Sequence, residues 1–188
     1  MDVSEESNKK VEQLMNDKFS DFQPSFSRDG KYIVFSTDRV ALSSDSRTVD
    51  IPMNLAFVEV ATKKITNLDV FPGANNLNPH FSSDGKDIYF LSNSDGYRNM
   101  YRYTLETQEV ARMTDFFTGI SGITEYSPAM SISANDDIVY SYFKNNAYSV
   151  YKAKATEFEA QPVSAGAVDF EAAMLPPLQA RGVNVVNT

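Results

Sequence analysis

The chain has 188 residues, 12% of them aromatic, no cysteine, and a net charge of −8 with a pI near 4.6. That length suits one domain with a sizeable core, while the missing cysteine excludes a disulfide framework and any Cys-based zinc site. So acidic a surface repels phosphate backbones, which argues against a nucleic-acid partner and favours cationic patches or ions.

The longest apolar runs, such as Ile88-Tyr89-Phe90-Leu91, fall far short of the roughly 20 residues of a spanning helix, so no direct membrane insertion is expected. The first residues, Met1-Asp2-Val3-Ser4-Glu5-Glu6, carry neither a basic n-region nor an apolar h-region and do not read as a signal peptide.

Residues 1–20 form an N-terminal segment, with 10–15 expected as the outer strand of a preceding or closing unit. The first repeat spans 21–68. It opens on Pro24-Ser25-Phe26-Ser27-Arg28-Asp29-Gly30-Lys31 and predicts strands at about 23–27, 32–37, 54–60 and 64–68. Between its second and third strands lies a long polar insertion, 38–52. The second repeat, 69–114, carries the same phrase as Pro79-His80-Phe81-Ser82-Ser83-Asp84-Gly85-Lys86, starting 55 residues later. Asp-Gly makes a tight turn in which glycine supplies the positive φ. Strands are expected at 79–82, 87–92, 99–105 and 109–114. The unbroken apolar run 88–91 implies a strand covered on both faces. A frayed third copy begins at Pro128 inside a third repeat, 115–164. Its turn, Ala134-Asn135-Asp136-Asp137, lacks the glycine, and its clear strands are 138–142 and 147–153. Residues 165–188 read as a tail or linker. In it, 170–175 is a strand or helical turn, and Pro176-Pro177 ends regular structure.

A repeat near fifty residues, each with four short antiparallel strands, is the mark of propeller blades. The fold class expected is all-β: a β-propeller fragment of about three tandem four-stranded antiparallel blades. Propellers have about 4–8 blades, so three leave two apolar blade faces open. Three arrangements would close them: a cut from a longer protein, a homodimer completing a six-blade ring, or the chain's own ends covering the faces.

Asp29, Gly30, Asp84 and Gly85 read as structural turn residues. His80, the lone histidine, sits on an innermost strand, where it either lines a central channel or is a hydrogen-bonded structural residue. No Gly-x-Ser-x-Gly elbow accompanies it, and one histidine does not make a zinc site. Asp136-Asp137 and the pair Asp45 and Asp50 lack the alternating oxygen ligands and bend glycine of a calcium loop. No metal, cofactor or catalytic residue is expected.

Phe116-Phe117 is the leading candidate for binding. In a propeller its loop shares a face with the insertion 38–52 and the loop 69–78, where aromatics anchor interfaces; the competing role is a wedge between the second and third blades. Arg39, Arg47, Tyr97 and Arg98 fall in loops expected on that face. There they serve either as anchors for a carboxylate-bearing partner or as solubilising loop residues.

The pattern Pro-x-Phe-Ser-x-Asp-Gly-Lys, an apolar strand, Ser-x-x-x-Gly (Ser92 to Gly96), then Met-Tyr-x-Tyr-x-Leu (Met100 to Leu105) resembles the TolB-type β-propeller repeat, over roughly residues 10–165. The third copy departs at Asn135-Asp136 and the first by its insertion. Residues 118–124, leading into Ser127-Pro128-Ala129, with Leu175-Pro176-Pro177 downstream, resemble the end of propeller domains in larger bacterial envelope proteins, some flanked by a membrane β-barrel or a peptidase-like region.

The resemblance implies a periplasmic or secreted, non-catalytic propeller that binds or scaffolds other proteins in the cell envelope, with its signal peptide trimmed. The family's best-known member docks a peptidoglycan-associated lipoprotein, but no docking residue of that member matches a position here. Propellers of this repeat type also precede serine peptidase domains, where the ring gates substrate access. That makes a gating propeller of a larger enzyme the alternative, alongside a homodimeric ring holding a small ligand in its channel.

Overall fold

The computed structural model describes residues 12–43 and 51–173. Lys10, Asp45, Arg47, Asp50 and Pro176-Pro177 lie outside the described residues. The strands form three antiparallel sheets. The first holds β1 (Asp21–Phe26), β2 (Tyr32–Thr37), β3 (Asn54–Glu59) and β4 (Ile65–Leu68) in sequence order. A short helix, α1 (Arg39–Ser43), opens the insertion after β2. The second sheet holds β5 (Asn76–Phe81), β6 (Asp87–Ser92), β7 (Asn99–Thr104) and β8 (Val110–Arg112). The third holds β9 (Met130–Ile132), β10 (Asp137–Lys144) and β11 (Ala147–Lys154). The fold is thus all-β, with blade-like sheets stacked side by side and inner strands β1, β5 and β9 next to one another.

Alternation along the strands explains the apolar runs. On β6, Ile88 and Phe90 face the first sheet and join Val34, Leu55, Leu68 and Tyr101 in one cluster. Tyr89 and Leu91 face the third sheet and meet Ile120, Met130 and Ile138 in another. Successive side chains point to opposite faces, so a strand with a sheet on each side must be apolar throughout. Each fully buried large side chain, Phe90 among them, contributes about 1.5–3 kcal/mol.

The repeated phrase builds one turn twice. Ser27 Oγ donates to Asp29 Oδ1 at 2.7 Å, and the same oxygen accepts from the Lys31 amide at 3.1 Å. Ser82, Asp84 and Lys86 repeat this at 2.7 and 3.1 Å. Gly30 and Gly85 hold φ of 72° and 73°. In the third copy Asp136 takes the glycine's place at φ 58°, and its carboxylate accepts from the Ser83 amide at 2.7 Å and from the Ser83 hydroxyl. The turn without glycine therefore ties the third sheet to the second.

The structure differs from the sequence expectations at both ends. Residues 12–15 form no strand; instead Leu14 and Met15 lie on Ile33, Phe35, Ala56 and Val58, covering the outer face of the first sheet. Residues 161–163, assigned by sequence to the third repeat, form β12 (Gln161–Val163), which pairs with β8 and becomes the fifth strand of the second sheet. A 3-10 turn, Ala155–Glu157, redirects the chain there, stabilised by the Lys154 amide donating to Glu157 Oε2 at 2.6 Å. Val163 then packs against the cluster between the first two sheets, and Pro162 sits on an edge strand, where its missing N–H costs little. The third sheet is left with three strands, an outer strand β11 that is almost entirely exposed, and Val150 at 75% exposure.

Candidate functional site: the convergent loop face

The inner strands share a device that the sequence phrase conceals. Both β1 and β5 carry a bulge, at Phe22/Ser25 and at Leu77/His80. Within them Gln23 and Asn78, 55 positions apart, hold φ of 52° and 54°. Gln23 Oε1 accepts from the Asn78 amide at 2.6 Å. Asn78 Oδ1 in turn accepts from the Ala129 and Met130 amides, both at 2.8 Å. Equivalent side chains thus reach forward to the next inner strand and satisfy amides that a sheet edge would otherwise leave unpaired. His80 stands beside this ladder. Its Nδ1 lies 3.1 Å from Ser25 Oγ, and its Nε2 lies 3.2 Å from the Met130 carbonyl and 3.1 Å from Asn78 Nδ2. Burial pushes the His80 pKa below its ordinary 6.5, so the ring is neutral and joins all three sheets.

Asn75 gathers the loops at one end of the sheets. Its Oδ1 accepts from the Met53 amide at 3.0 Å, its own amide donates to Asn93 Oδ1 at 2.7 Å, and its Nδ2 donates to Glu125 Oε1 at 2.6 Å. Four connections meet there: the end of the insertion, the link between the first and second sheets, the β6–β7 loop, and the 115–129 link to the third sheet. Across the same face, the Asp169 amide donates to the Ser94 carbonyl at 2.7 Å. Between the loops lies a cleft of about 590 Å³ lined by Ile51, Pro52, Asn75, Asn93, Glu125 and Tyr126. A second, of about 350 Å³, shares Asn93 and Glu125 and adds Arg98, Ser121, Ile123 and Thr124.

The sequence-predicted residues divide across this architecture. Phe116 is the wedge: its ring lies 4.7 Å from Tyr142 and 5.9 Å from Tyr140, and its amide donates to Asn99 Oδ1 at 2.9 Å. Phe117, 86% exposed, stands on the face with its ring edge-on to Tyr97 at 6.2 Å. Arg98 lies under the same loop, where its carbonyl accepts from the Ile120 amide at 2.6 Å. That approach needs Gly119, since a Cβ there would stand 2.7 Å from the Arg98 carbonyl oxygen at a φ of 65°.

Arg39 departs from the expectation of a loop-face anchor. It is 9% exposed, pairs with Asp17 at 2.6 Å and Asp21 at 3.1 Å, and lies over the Phe19 ring. It clamps the N-terminal segment to the first sheet, and its hydrogen bond holds the Asp17 carboxyl below its ordinary range. Asp29, Gly30, Asp84 and Gly85 form the inter-strand turns beside a cleft of about 650 Å³, apart from the loop face; the serine hydroxyl and backbone amide hold Asp29 down to about 2. Among the described residues, no group of three or more His, Asp or Glu side chains could hold a metal ion.

Sequence reasoning missed Asn75, Asn93, Glu125 and Tyr126, the framework of the face. Their only signal is the position of Asn and Glu in Gly-, Ser- and Thr-rich links, which marks a turn but not which loops it joins.

No family model matches the chain. The Tol-Pal system protein TolB of Francisella tularensis subsp. mediasiatica is 38% identical over 94 residues, covering 48% of this chain and 19% of that protein. The chain therefore matches about a fifth of the length of this curated relative. Among solved structures, TolB from Acinetobacter baumannii superposes with a TM-score of 0.52 at 18% identity, over 76% of this chain and 32% of that one. A puromycin hydrolase superposes with a TM-score of 0.52 at 16% identity, over 75% and 21%. At such identities the two structures speak for the fold alone. Taken with the sequence relative and the repeated turns, they make the three sheets TolB-like β-propeller blades.

Proposed function

We propose that the loop face is a protein-docking surface and that the chain serves as a non-catalytic binding or scaffolding module of the bacterial cell envelope, in the periplasm. The observation that carries this is the grouping of exposed apolar side chains on a hydrogen-bonded frame: Ile51, Ile123 and Tyr126 line clefts whose walls are joined through Asn75, and Phe117 stands exposed against Tyr97, next to the cleft residues Gly96 and Arg98. Aromatic anchors on a preorganised surface lose little freedom on binding, which is what interface hot spots require.

The surroundings of His80 support a non-catalytic role. Ser25 and His80 stand at hydrogen-bonding distance, as a nucleophile and base would. The far side of the imidazole, however, faces the Met130 carbonyl and the Asn78 amide group, where a triad would place an orienting carboxylate. The pair is also occupied in joining the sheets.

Calorimetric titration with the soluble domain of a peptidoglycan-associated lipoprotein, the partner type that the TolB resemblance implies, tests the proposal. Binding is expected, with Phe117→Ser combined with Ile123→Ser weakening it by at least about tenfold, which corresponds to about 1.4 kcal/mol. The exposed control Val150→Ser should leave it unchanged. Absence of binding, or binding indifferent to the double substitution, would contradict the proposal.

A further inference from the structure

We propose that the Arg98 guanidinium is a carboxylate-binding site on the loop face, taking a carboxylate that stands next to an apolar side chain of the partner. This rests on the docking role of the face and gives it a chemistry. The described arginines are otherwise engaged. Arg28 donates to the Ala134 carbonyl, Arg39 to Asp17 and Asp21, and Arg112 to Asp95, Asp115 and Gln161, while Arg102 interacts with the Tyr89 side chain. Arg98 has no side-chain hydrogen bond or ion pair among the described residues, and its Nε is buried without a partner. Arg102 Nε is likewise buried without a partner, but Arg98 alone among the described arginines has no other side-chain hydrogen bond to offset the cost of its buried Nε donor.

Burial lowers the Arg98 pKa from its ordinary value despite the attraction of Glu125 and Tyr126. Glu125 attracts the guanidinium without a hydrogen bond or ion pair to it, its Oε1 accepting instead from Asn75 Nδ2. The contact of Gly119 with the Arg98 backbone fixes where the side chain starts, and the cleft of about 350 Å³ beside it offers Ser121 and Thr124 hydroxyls together with Ile123, 91% exposed. A guest carboxylate would accept from the guanidinium while its apolar neighbour rests on Ile123. Glu125 on the rim disfavours a doubly charged phosphate, so a single negative charge fits best.

The test uses the ¹⁵N-labelled chain and two probes, N-acetyl-leucine and N-acetyl-leucinamide, with NMR shifts followed at the Arg98 Nε–H and the Ile123 amide. The acid is expected to shift both saturably. The amide, and the acid added to Arg98→Gln, should bind at least about tenfold more weakly, as loss of a charge-assisted hydrogen bond implies. Arg98→Lys should retain part of the effect. Equal shifts with acid and amide, or acid shifts that persist in Arg98→Gln, would overturn the carboxylate assignment. Because the comparison of acid with amide is made on the unaltered chain, it holds even if a variant folds poorly. No response to the acid, alongside lipoprotein binding that still depends on Phe117, would overturn this assignment and leave the docking face standing.

Discussion

Replacing Asn78 with alanine should destabilise the protein by about 4 kcal/mol. The side chain is 5% exposed, and its Oδ1 accepts from two buried amides, those of Ala129 and Met130, each at 2.8 Å. An unsatisfied buried donor costs about 1–3 kcal/mol, so losing this acceptor costs about 3 kcal/mol after partial relaxation. The backbone adds more: at φ 54° an alanine is strained by about 1 kcal/mol where asparagine is tolerated. Two further variants separate the contributions. Asn78→Gly relieves the strain but not the lost acceptor and should cost about 3 kcal/mol. Asn78→Asp keeps an acceptor oxygen for both amides but exchanges the donor facing His80 for a second oxygen and adds a buried charge, and should cost about 2 kcal/mol, less than alanine. Urea unfolding supplies the magnitudes from shifted midpoints at constant slope, and hydrogen exchange at Ala129 and Met130 localises them. Equal costs for Asn78→Ala and Asn78→Asp, or undiminished protection of those two amides in the alanine variant, would refute the forward-reaching ladder.

His80 gives a pH dependence. Its folded pKa lies below 6.5, so between the two values the unfolded chain binds more protons. Stability should be fully present above pH 6.5 and fall as pH drops through that window, and His80→Gln should flatten the decline in a series of thermal melts. Asp17 and Asp84, whose folded pKa values are lowered, contribute stability present above their unfolded value of 3.8 and lost below it, so a second decline is expected under pH 4 in both proteins. Arg39→Met should cost about 2 kcal/mol in urea unfolding, because it strands two partly exposed carboxylates, and it should loosen residues 12–20 in hydrogen exchange. Gly119→Ala should cost about 2 kcal/mol by the same assay, since the new Cβ meets backbone at Arg98, and should shift the Ile120 amide resonance.

The repeated phrase made the sheets legible, because an Asp-Gly turn between two apolar strands is a local signal and each blade is built from local pairings. What it left hidden depends on neighbours. Residues 161–163 fall within the third repeat by sequence, but the free edge of β8 and the apolar cluster under Val163 make them a strand of the second sheet. Phe116 and Phe117 are identical in kind and adjacent, and the packing of Tyr140 and Tyr142 alone separates wedge from surface. Arg39 reads as a loop cation until Asp17 and Asp21 are placed beside it. Gln23 and Asn78 carry the connections between sheets, yet nothing in Phe-Gln-Pro or Leu-Asn-Pro marks a left-handed residue inside a strand. The asparagine hub of the loop face is similarly a product of the stacking.

Hydrogen exchange of the unmodified chain, with and without the soluble domain of a peptidoglycan-associated lipoprotein, bears most directly on the docking face. Added protection is predicted at residues 51–53, 93–98 and 115–129, with 144–154 on the exposed outer strand of the third sheet unchanged. Protection confined to 144–154, with those three segments unaffected, would contradict it.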